Sequence, residues 1–205
     1  MSFYASHILP WVFELVLNQP AIGELRKDLL KNVEGNVLEI GFGTGLNLPH
    51  YPAPVHKITA LDPHLRTHRL TQKRLRASKI EVSHCTHTGE KLPFPDHAFD
   101  SVVTTFTLCS IPDVLSALRE IHRVLKPHGK FFFLEHGLSP NPMMARWQHR
   151  FTPLQKKLGG GCHLDRNITA LIKKSSFDVQ EIKEFYFEDF PKMLGFFYCG
   201  IAETT

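Results

Sequence analysis

Residues 36–62, NVLEIGFGTGLNLPHYPAPVHKITALD, limit the fold more than any other part of this chain. Val37, Leu38 and Ile40 make an apolar run of strand length, followed by Gly41, Gly43 and Gly45 at every second position. Pro49, Pro52 and Pro54 curtail the helical segment after the turn, and a second strand-like run, 58–61, ends at Asp62. Strand, glycine turn, short helix, strand and acid is the front half of a nucleotide-binding α/β sheet. Glycines let the backbone adopt positive φ and approach a ligand closely, and an acid at the second strand's tip can accept hydrogen bonds from a ribose diol. The ligand class is an adenosine-type cofactor.

The details of the turn narrow that class. A dinucleotide fingerprint has a third glycine beneath a pyrophosphate, and Leu46 fills that position here. Glu39 adds a carboxylate at the strand's end, which repels phosphate and suits an ammonium group. S-adenosylmethionine carries an ammonium, a sulfonium and a ribose, and no phosphate. A merely tight turn would explain the glycines but not Glu39 and Asp62 together. The run Leu38-Glu39-Ile40-Gly41-x-Gly43-x-Gly45 resembles the first motif of class I S-adenosylmethionine-dependent methyltransferases. On that resemblance Glu39 takes the ammonium group, Gly41 and Gly43 lie beside the methionine part, and Asp62, followed by Pro63, takes the ribose.

At 205 residues, with 42% hydrophobic and 21% charged residues, the chain can bury one sizeable core. Much of its modest +4 charge comes from Arg66, Arg69, Lys73, Arg74, Arg76 and Lys79, on a helix expected from Pro63 to about Ser78. Such a run can attract anionic lipid or simply solvate a helix face; no nucleic-acid partner is expected. His64 and His68, spaced i, i+4 on it, lack a further ligand and are read as surface histidines, so no metal site is expected. Cys85, Cys109, Cys162 and Cys199 form no C-x-x-C, and the N-terminus shows no secretory pattern, so reduced thiols and a cytoplasmic location are expected.

In chain order, residues 2–31 read as two helices broken near Pro20. Ile8, Trp11, Val12, Leu15 and Val16 recur at helical spacing in the first, and core packing is the expected use of that stripe. A third strand is expected at 80–84. Gly89-Glu90-x-Leu92-Pro93-Phe94-Pro95-Asp96, with Asp100 beyond it, resembles a loop of the ubiquinone and menaquinone biosynthesis methyltransferases. There an Asp before the Gly-Glu pair commonly accepts from adenine. Thr88 stands in its place, leaving a hydroxyl and the Gly89 N–H for that role, beside Glu90. A strand at 102–106 lies next to the first one, so Thr105 and Leu108 at its carboxyl end are the expected cofactor contacts. Cys109 reads as a small buried cysteine with no histidine adjacent to it.

Asp113 caps a helix containing Val114, Leu118, Ile121 and Leu125, and its RVLKPHG ending resembles a structural turn of the same methyltransferases, with His128 replacing a glycine. A fifth strand at 131–135 leads to His136, which is a candidate general base or positioning group, or a packed side chain. Beyond Pro140, a helix at 141–158 carries Trp147 and Phe151, and Gly159-Gly160-Gly161-Cys162-His163-Leu164-Asp165-Arg166 follows, with Asp165 and Arg166 expected to open the next helix. The triple glycine marks either a substrate wall or a loose turn. TLCSIPD, LEHG and GC-x-L-x-R together resemble the methyltransferase-like family that includes thiol S-methyltransferases, whose membrane-inserting N-terminus is not expected here.

That resemblance implies a Rossmann-like, doubly wound α/β domain over 1–205, with a seven-stranded sheet in the order 3-2-1-4-5-7-6 and the last strand antiparallel. Residues 1–34 would be a helical cap and 137–165 a substrate-side insertion carrying Trp147, Phe151, Cys162, His163 and Arg166. The implied activity is methyl transfer from S-adenosyl-L-methionine to a small, fairly apolar thiol, amine or hydroxyl. The alternatives are a phospholipid N-methyltransferase touching a membrane surface and a non-catalytic cofactor-binding regulator.

Overall fold

The computed structural model describes residues 8–63 and 69–205, so Arg66 and the histidines His64 and His68 lie outside the described residues. Two helices, α1 (Leu9–Leu17) and α2 (Pro20–Leu30), precede β1 (Val37–Ile40) and β2 (Lys57–Leu61). The chain continues through α3 (Arg69–Ala77), β3 (Glu81–Cys85), β4 (Phe99–Thr105), α4 (Val114–Val124) and β5 (Leu125–His136). It closes with α5 (Pro142–Leu158), α6 (Ile168–Lys174), β6 (Asp178–Tyr186) and β7 (Phe196–Glu203).

The strands form one sheet in the order β3-β2-β1-β4-β5-β7-β6. The first five pair in parallel, and β7 runs antiparallel to both of its neighbours. This is the expected order. Central parallel strands are covered on both faces and therefore read as continuous apolar runs. All four residues of β1 are buried, and Phe131, Phe132, Phe133 and Leu134 of β5 are wholly inaccessible. Successive side chains leave a strand on opposite faces. Leu38, Ile40, Phe131 and Phe133 accordingly pack with α4 and α6 on one side. Val37, Phe132 and Leu134 pack with α2 on the other. The order reverses between β1 and β4, which opens a crevice at the strands' carboxyl ends.

Local chemistry sets the element ends. Asp113 caps α4 by accepting from the Ser116 N–H at 3.1 Å. Arg123 on the same helix donates to the Leu92 and Phe94 carbonyls and to Asp96, which fixes the proline-rich loop before β4. His128 keeps the left-handed φ of 60° that favours the glycine of the resembled pattern.

Three expectations need correction. Strand β5 begins at Leu125 rather than Phe131, because Leu125 already pairs with Phe99 across a register shift. Asn167, not Asp165 or Arg166, opens α6, its side chain accepting from the Ala170 N–H at 2.9 Å. Helix α1 turns its apolar stripe outward: Leu15 is 80% exposed and Trp11 53%, with Ile8 and Val12 also exposed. Leu9 and Glu14 face inward instead. The reason is Glu14, whose carboxylate meets Arg74 of α3 at 2.5 and 3.0 Å and the Thr44 hydroxyl at 2.8 Å. A near-buried carboxylate without partners is far costlier than exposed apolar side chains, so the ion pair sets the helix's rotation.

Candidate cofactor and acceptor site

The glycine turn after β1 has left-handed φ at all three glycines, +77° at Gly41, +55° at Gly43 and +79° at Gly45. Its first N–H, that of Gly41, donates to the Leu61 carbonyl at 2.8 Å, and the N–H of Gly43 donates to Asp62 Oδ2 at 2.8 Å. The acid at the tip of β2 is thereby tied to the turn. A Cβ at Gly41 would stand 2.0 Å from Thr107 Oγ1, whereas one at Gly43 would enter open space, its nearest neighbour the Gly41 carbonyl at 3.9 Å. The turn is thus packed on one side and open as a cradle on the other. Glu14 of α1 and Arg74 of α3 hold it from above through Thr44.

Beneath the turn lies a polar network that the sequence reading missed. Glu39, 1% exposed, accepts from Tyr51 Oη at 2.7 Å and Asn47 Nδ2 at 2.9 Å. Arg26 of α2 donates to Asn47 Oδ1 at 2.6 Å and to Thr105 Oγ1 at 2.8 Å. Burial pushes the Glu39 carboxyl up to about 7, against the opposing pull of Tyr51, Asn47 and Arg26. Thr105 is engaged with Arg26 and Asn47, and the Leu108 side chain is wholly buried in the core. The signal available in the sequence was the spacing of Asn47 and Tyr51, one helical turn apart after the glycines.

The carboxyl ends of β4 and β5 form the second half of the site. Glu135, buried in the apolar run of β5, accepts from the backbone N–H groups of Thr107 and Leu108 at 2.9–3.1 Å. This carboxylate shapes the loop after β4, and burial raises its affinity for a proton. A charged residue closing a phenylalanine strand was the legible sign of it. The same loop carries Cys109 to His136, although the two are far apart in sequence. Cys109, expected to lack a histidine, has one after all. His136 also meets Cys162, its Nε2 at 2.8 Å from Sγ. One ligating atom from each of Cys109, His136 and Cys162 lies within 4.8 Å of the others. Burial pulls the His136 imidazole down, but Cys109 and Glu135 outweigh it and hold it above the usual histidine range. The Cys109 thiol is pushed well up by its hydrogen bond with Cys162 and by burial.

These side chains border a cavity of about 110 Å³, otherwise walled by Phe13, Leu17, Phe106 and Phe197. Phe106 divides the two halves. Its ring lies 5.5 Å from the Arg26 guanidinium and edge-on to Phe197 at 5.2 Å, and its φ is +52°. Of the expected substrate-side residues, Cys162 borders the cavity. Trp147 and Phe151 stack on each other along α5, with Trp147 half exposed, and the helix offers Gln155 to the cavity instead. His163 and Arg166 act on backbone. The His163 N–H donates to the Cys109 carbonyl at 2.8 Å, and Arg166 donates to the Leu108 and Pro112 carbonyls. After β3, Thr88 is exposed, Gly89 is packed against Ile111 and Ile40 and Glu90 is half-buried, while Pro63, which follows Asp62 after β2, is exposed.

Comparison with known proteins places this geometry. Residues 38–133 match a methyltransferase domain family. The thiol S-methyltransferase TMT1B of Rattus norvegicus is 36% identical over 158 residues, which cover 73% of this chain and 63% of that protein. The chain thus spans a little under two thirds of this relative's length. Among solved structures, a possible histamine N-methyltransferase from Thermotoga maritima is 20% identical, covers 98% of both chains and superposes with a TM-score of 0.68. The [4+2]-cyclase SpnF is 17% identical, covers 91% of this chain and 82% of its own, and reaches 0.70. These two structures share the fold.

Proposed function

We propose that this chain, whose central residues match a methyltransferase domain family, transfers a methyl group from S-adenosylmethionine to a small, apolar thiol. The observation that carries the reading is adjacency. A glycine cradle closed by Asp62 opens beside an apolar cavity in which His136 is the basic side chain. When bound, the cofactor supplies an electrophilic methyl carbon.

The residues present fit that cofactor. Gly43 leaves room for a close backbone approach, and Asp62 suits a ribose and disfavours phosphate, while Glu39 acts from beneath through Asn47 and Tyr51, which hold the floor of the turn. The nearby guanidiniums of Arg26 and Arg74 are engaged by Asn47 and Thr105 and by Glu14 and Thr44. On this reading the Gly89 N–H and Thr88 serve the adenine. On the acceptor side, Phe13 and Leu17 of α1 close the cavity against water, which preserves a sulfur nucleophile's reactivity. His136 accepts the thiol's proton. A thiol is favoured over a lipid amine because the cavity is small and lined by soft and aromatic groups. The similarity to a thiol S-methyltransferase supports the same choice.

The outward face of α1 supplies the reading's second part. Trp11, Val12 and Leu15 face solvent while Phe13, Val16 and Leu17 of the same helix border the cavity. Helix α3, bound to α1 through Glu14 and Arg74, carries Arg69, Lys73 and Arg76. An anionic membrane surface fits this pairing of apolar and basic faces, and apolar thiols dissolved in it would reach the cavity past α1. Among the described residues no helix is long and apolar enough to cross a membrane.

A radiolabelled methyl-transfer screen tests the reading. Label should pass to small alkyl and aryl thiols and not to amines, quinones or phospholipids; label in lipid alone, or in no acceptor, overturns it. Sedimentation with anionic vesicles should carry the protein down, and Trp11→Ala with Leu15→Ala should release it.

A further inference from the structure

Three separate segments bring soft ligands to one point. Cys109 comes from the loop after β4, His136 from the end of β5 and Cys162 from the turn between α5 and α6. Backbone and guanidinium contacts lace these segments together. The His163 N–H binds the Cys109 carbonyl, Arg166 binds the Leu108 and Pro112 carbonyls, and the Leu138 N–H binds the Arg166 carbonyl at 2.8 Å. The three side chains are therefore held by their supports and do not depend on meeting one another.

Their chemistry matches that placement. Two sulfurs and an imidazole nitrogen are the donor set preferred by zinc and its soft neighbours. With Zn–S near 2.3 Å and Zn–N near 2.0–2.1 Å, a tetrahedral site spaces its ligand atoms roughly 3.5–3.8 Å apart. The donors here lie within 4.8 Å, and His136 and Cys162 at 2.8 Å need only part slightly to admit an ion. Nε2 is the ring nitrogen that faces the sulfurs, and it is the atom the ion would take. The fourth direction faces the apolar cavity rather than a further protein ligand. Three protein ligands and one open position are the mark of a reactive rather than a structural zinc site.

We propose that Cys109, His136 and Cys162 bind one zinc ion and that its open position takes the acceptor sulfur as a thiolate. The inference rests on the cavity being the acceptor chamber, and it deepens that reading by changing how the thiol is activated. As the acceptor R–SH joins the metal, its S–H bond breaks, the proton leaves to solvent and the sulfur keeps the electron pair that bonds the methyl carbon. The bond from that carbon to the sulfonium breaks, and its pair stays on the departing S-adenosylhomocysteine sulfur. His136 is then a ligand, and the base it would otherwise supply is not required. Arg166, close to both cysteine sulfurs, offsets the charge of the third thiolate. Methylation turns that thiolate into a neutral thioether, a weak ligand that departs.

Cobalt(II) is a visible substitute for zinc. Protein stripped by a chelator under reducing conditions and titrated with cobalt should develop thiolate-to-metal absorption in the near ultraviolet and tetrahedral bands in the visible, both saturating at one ion per chain and bleached by zinc. Cys109→Ser and Cys162→Ser should each weaken cobalt binding by more than the roughly 10–100-fold typical of losing an outer-shell partner. Cys85→Ser and Cys199→Ser should leave it unchanged, and retained cofactor uptake shows that each variant is folded. Adding a small alkyl thiol should intensify the near-ultraviolet band as a third sulfur joins.

A wild-type protein without the band, or a band that survives the double variant Cys109→Ser/Cys162→Ser, overturns the site. A band indifferent to added thiol overturns the open-position assignment. If stripped protein still methylates thiols at full rate, the zinc inference fails while the functional reading stands. A cobalt band without methyl transfer to any thiol shows the opposite.

Discussion

The two halves of the crevice are built from different materials. Around the glycine turn the working groups are backbone N–H groups and hard oxygens, and Asp62, Thr44 and Asn47 are all hydrogen-bonded within the chain. Around the cavity they are sulfur, imidazole and aromatic rings, and His136 keeps one nitrogen unfilled. A half whose polar groups are mostly engaged within the chain has a fixed shape and suits one ligand that is the same in every turnover. A half of soft and aromatic groups suits acceptors that differ in shape around one reacting sulfur.

Substitutions that strike one half and spare the other test this contrast. The largest expected effect is that of His136→Gln, which should lower thiol-methylation turnover by roughly 10²-fold or more, the scale of losing a proton acceptor, while calorimetric cofactor affinity stays unchanged. A parallel loss of both would merge the halves. Next comes Gly41→Ala. Its methyl group would overlap Thr107 and sit at a left-handed φ, costing about 1–3 kcal/mol from overpacking and about 1–2 kcal/mol from backbone strain. Thermal unfolding should register the loss, and cofactor uptake should fall with it.

Asp62→Ala should weaken cofactor binding by about tenfold or more, the scale of a hydrogen bond to a charged group, with little change in unfolding temperature. The smallest effect concerns pH. Burial raises the folded-state Glu39 pKa from 4.5 to about 7, so the fold favours the protonated acid. That contribution is complete below about 4.5 and is lost as pH rises through about 7. The stability advantage of wild type over Glu39→Gln should therefore shrink between pH 5 and pH 8, as followed by denaturant unfolding; a gap that widens would contradict the assignment.

The hard half was largely legible in the sequence, because glycines, strand runs and terminal acids are local signals and the sheet order follows from them. Gly43 and Asp62 meet at the turn and Glu39 lies beneath it; Asn47 and Tyr51 were legible as a pair after the glycines, whereas Arg26 comes from α2, and nothing local tied it to them. The soft half was legible only by parts. Cys109 follows the end of β4 and His136 ends the neighbouring β5, so the order β4-β5 already brought their segments near one another, whereas nothing local placed Cys162 beside them. On α1 periodicity found the helix and misjudged its rotation, because one ion pair at Glu14 left four of the five stripe residues exposed and only Val16 at the cavity. Trp147 and Phe151 misled for a related reason: the two rings stack on each other and leave the chamber to Gln155.

Phe106 touches both halves. Its strained backbone fixes the ring between the Arg26 cation and the aromatic wall at Phe197. One ring is thus the shared wall of both compartments, so its size bears on each at once. Phe106→Leu should alter acceptor affinity and cofactor affinity together, as calorimetry with each ligand alone would read.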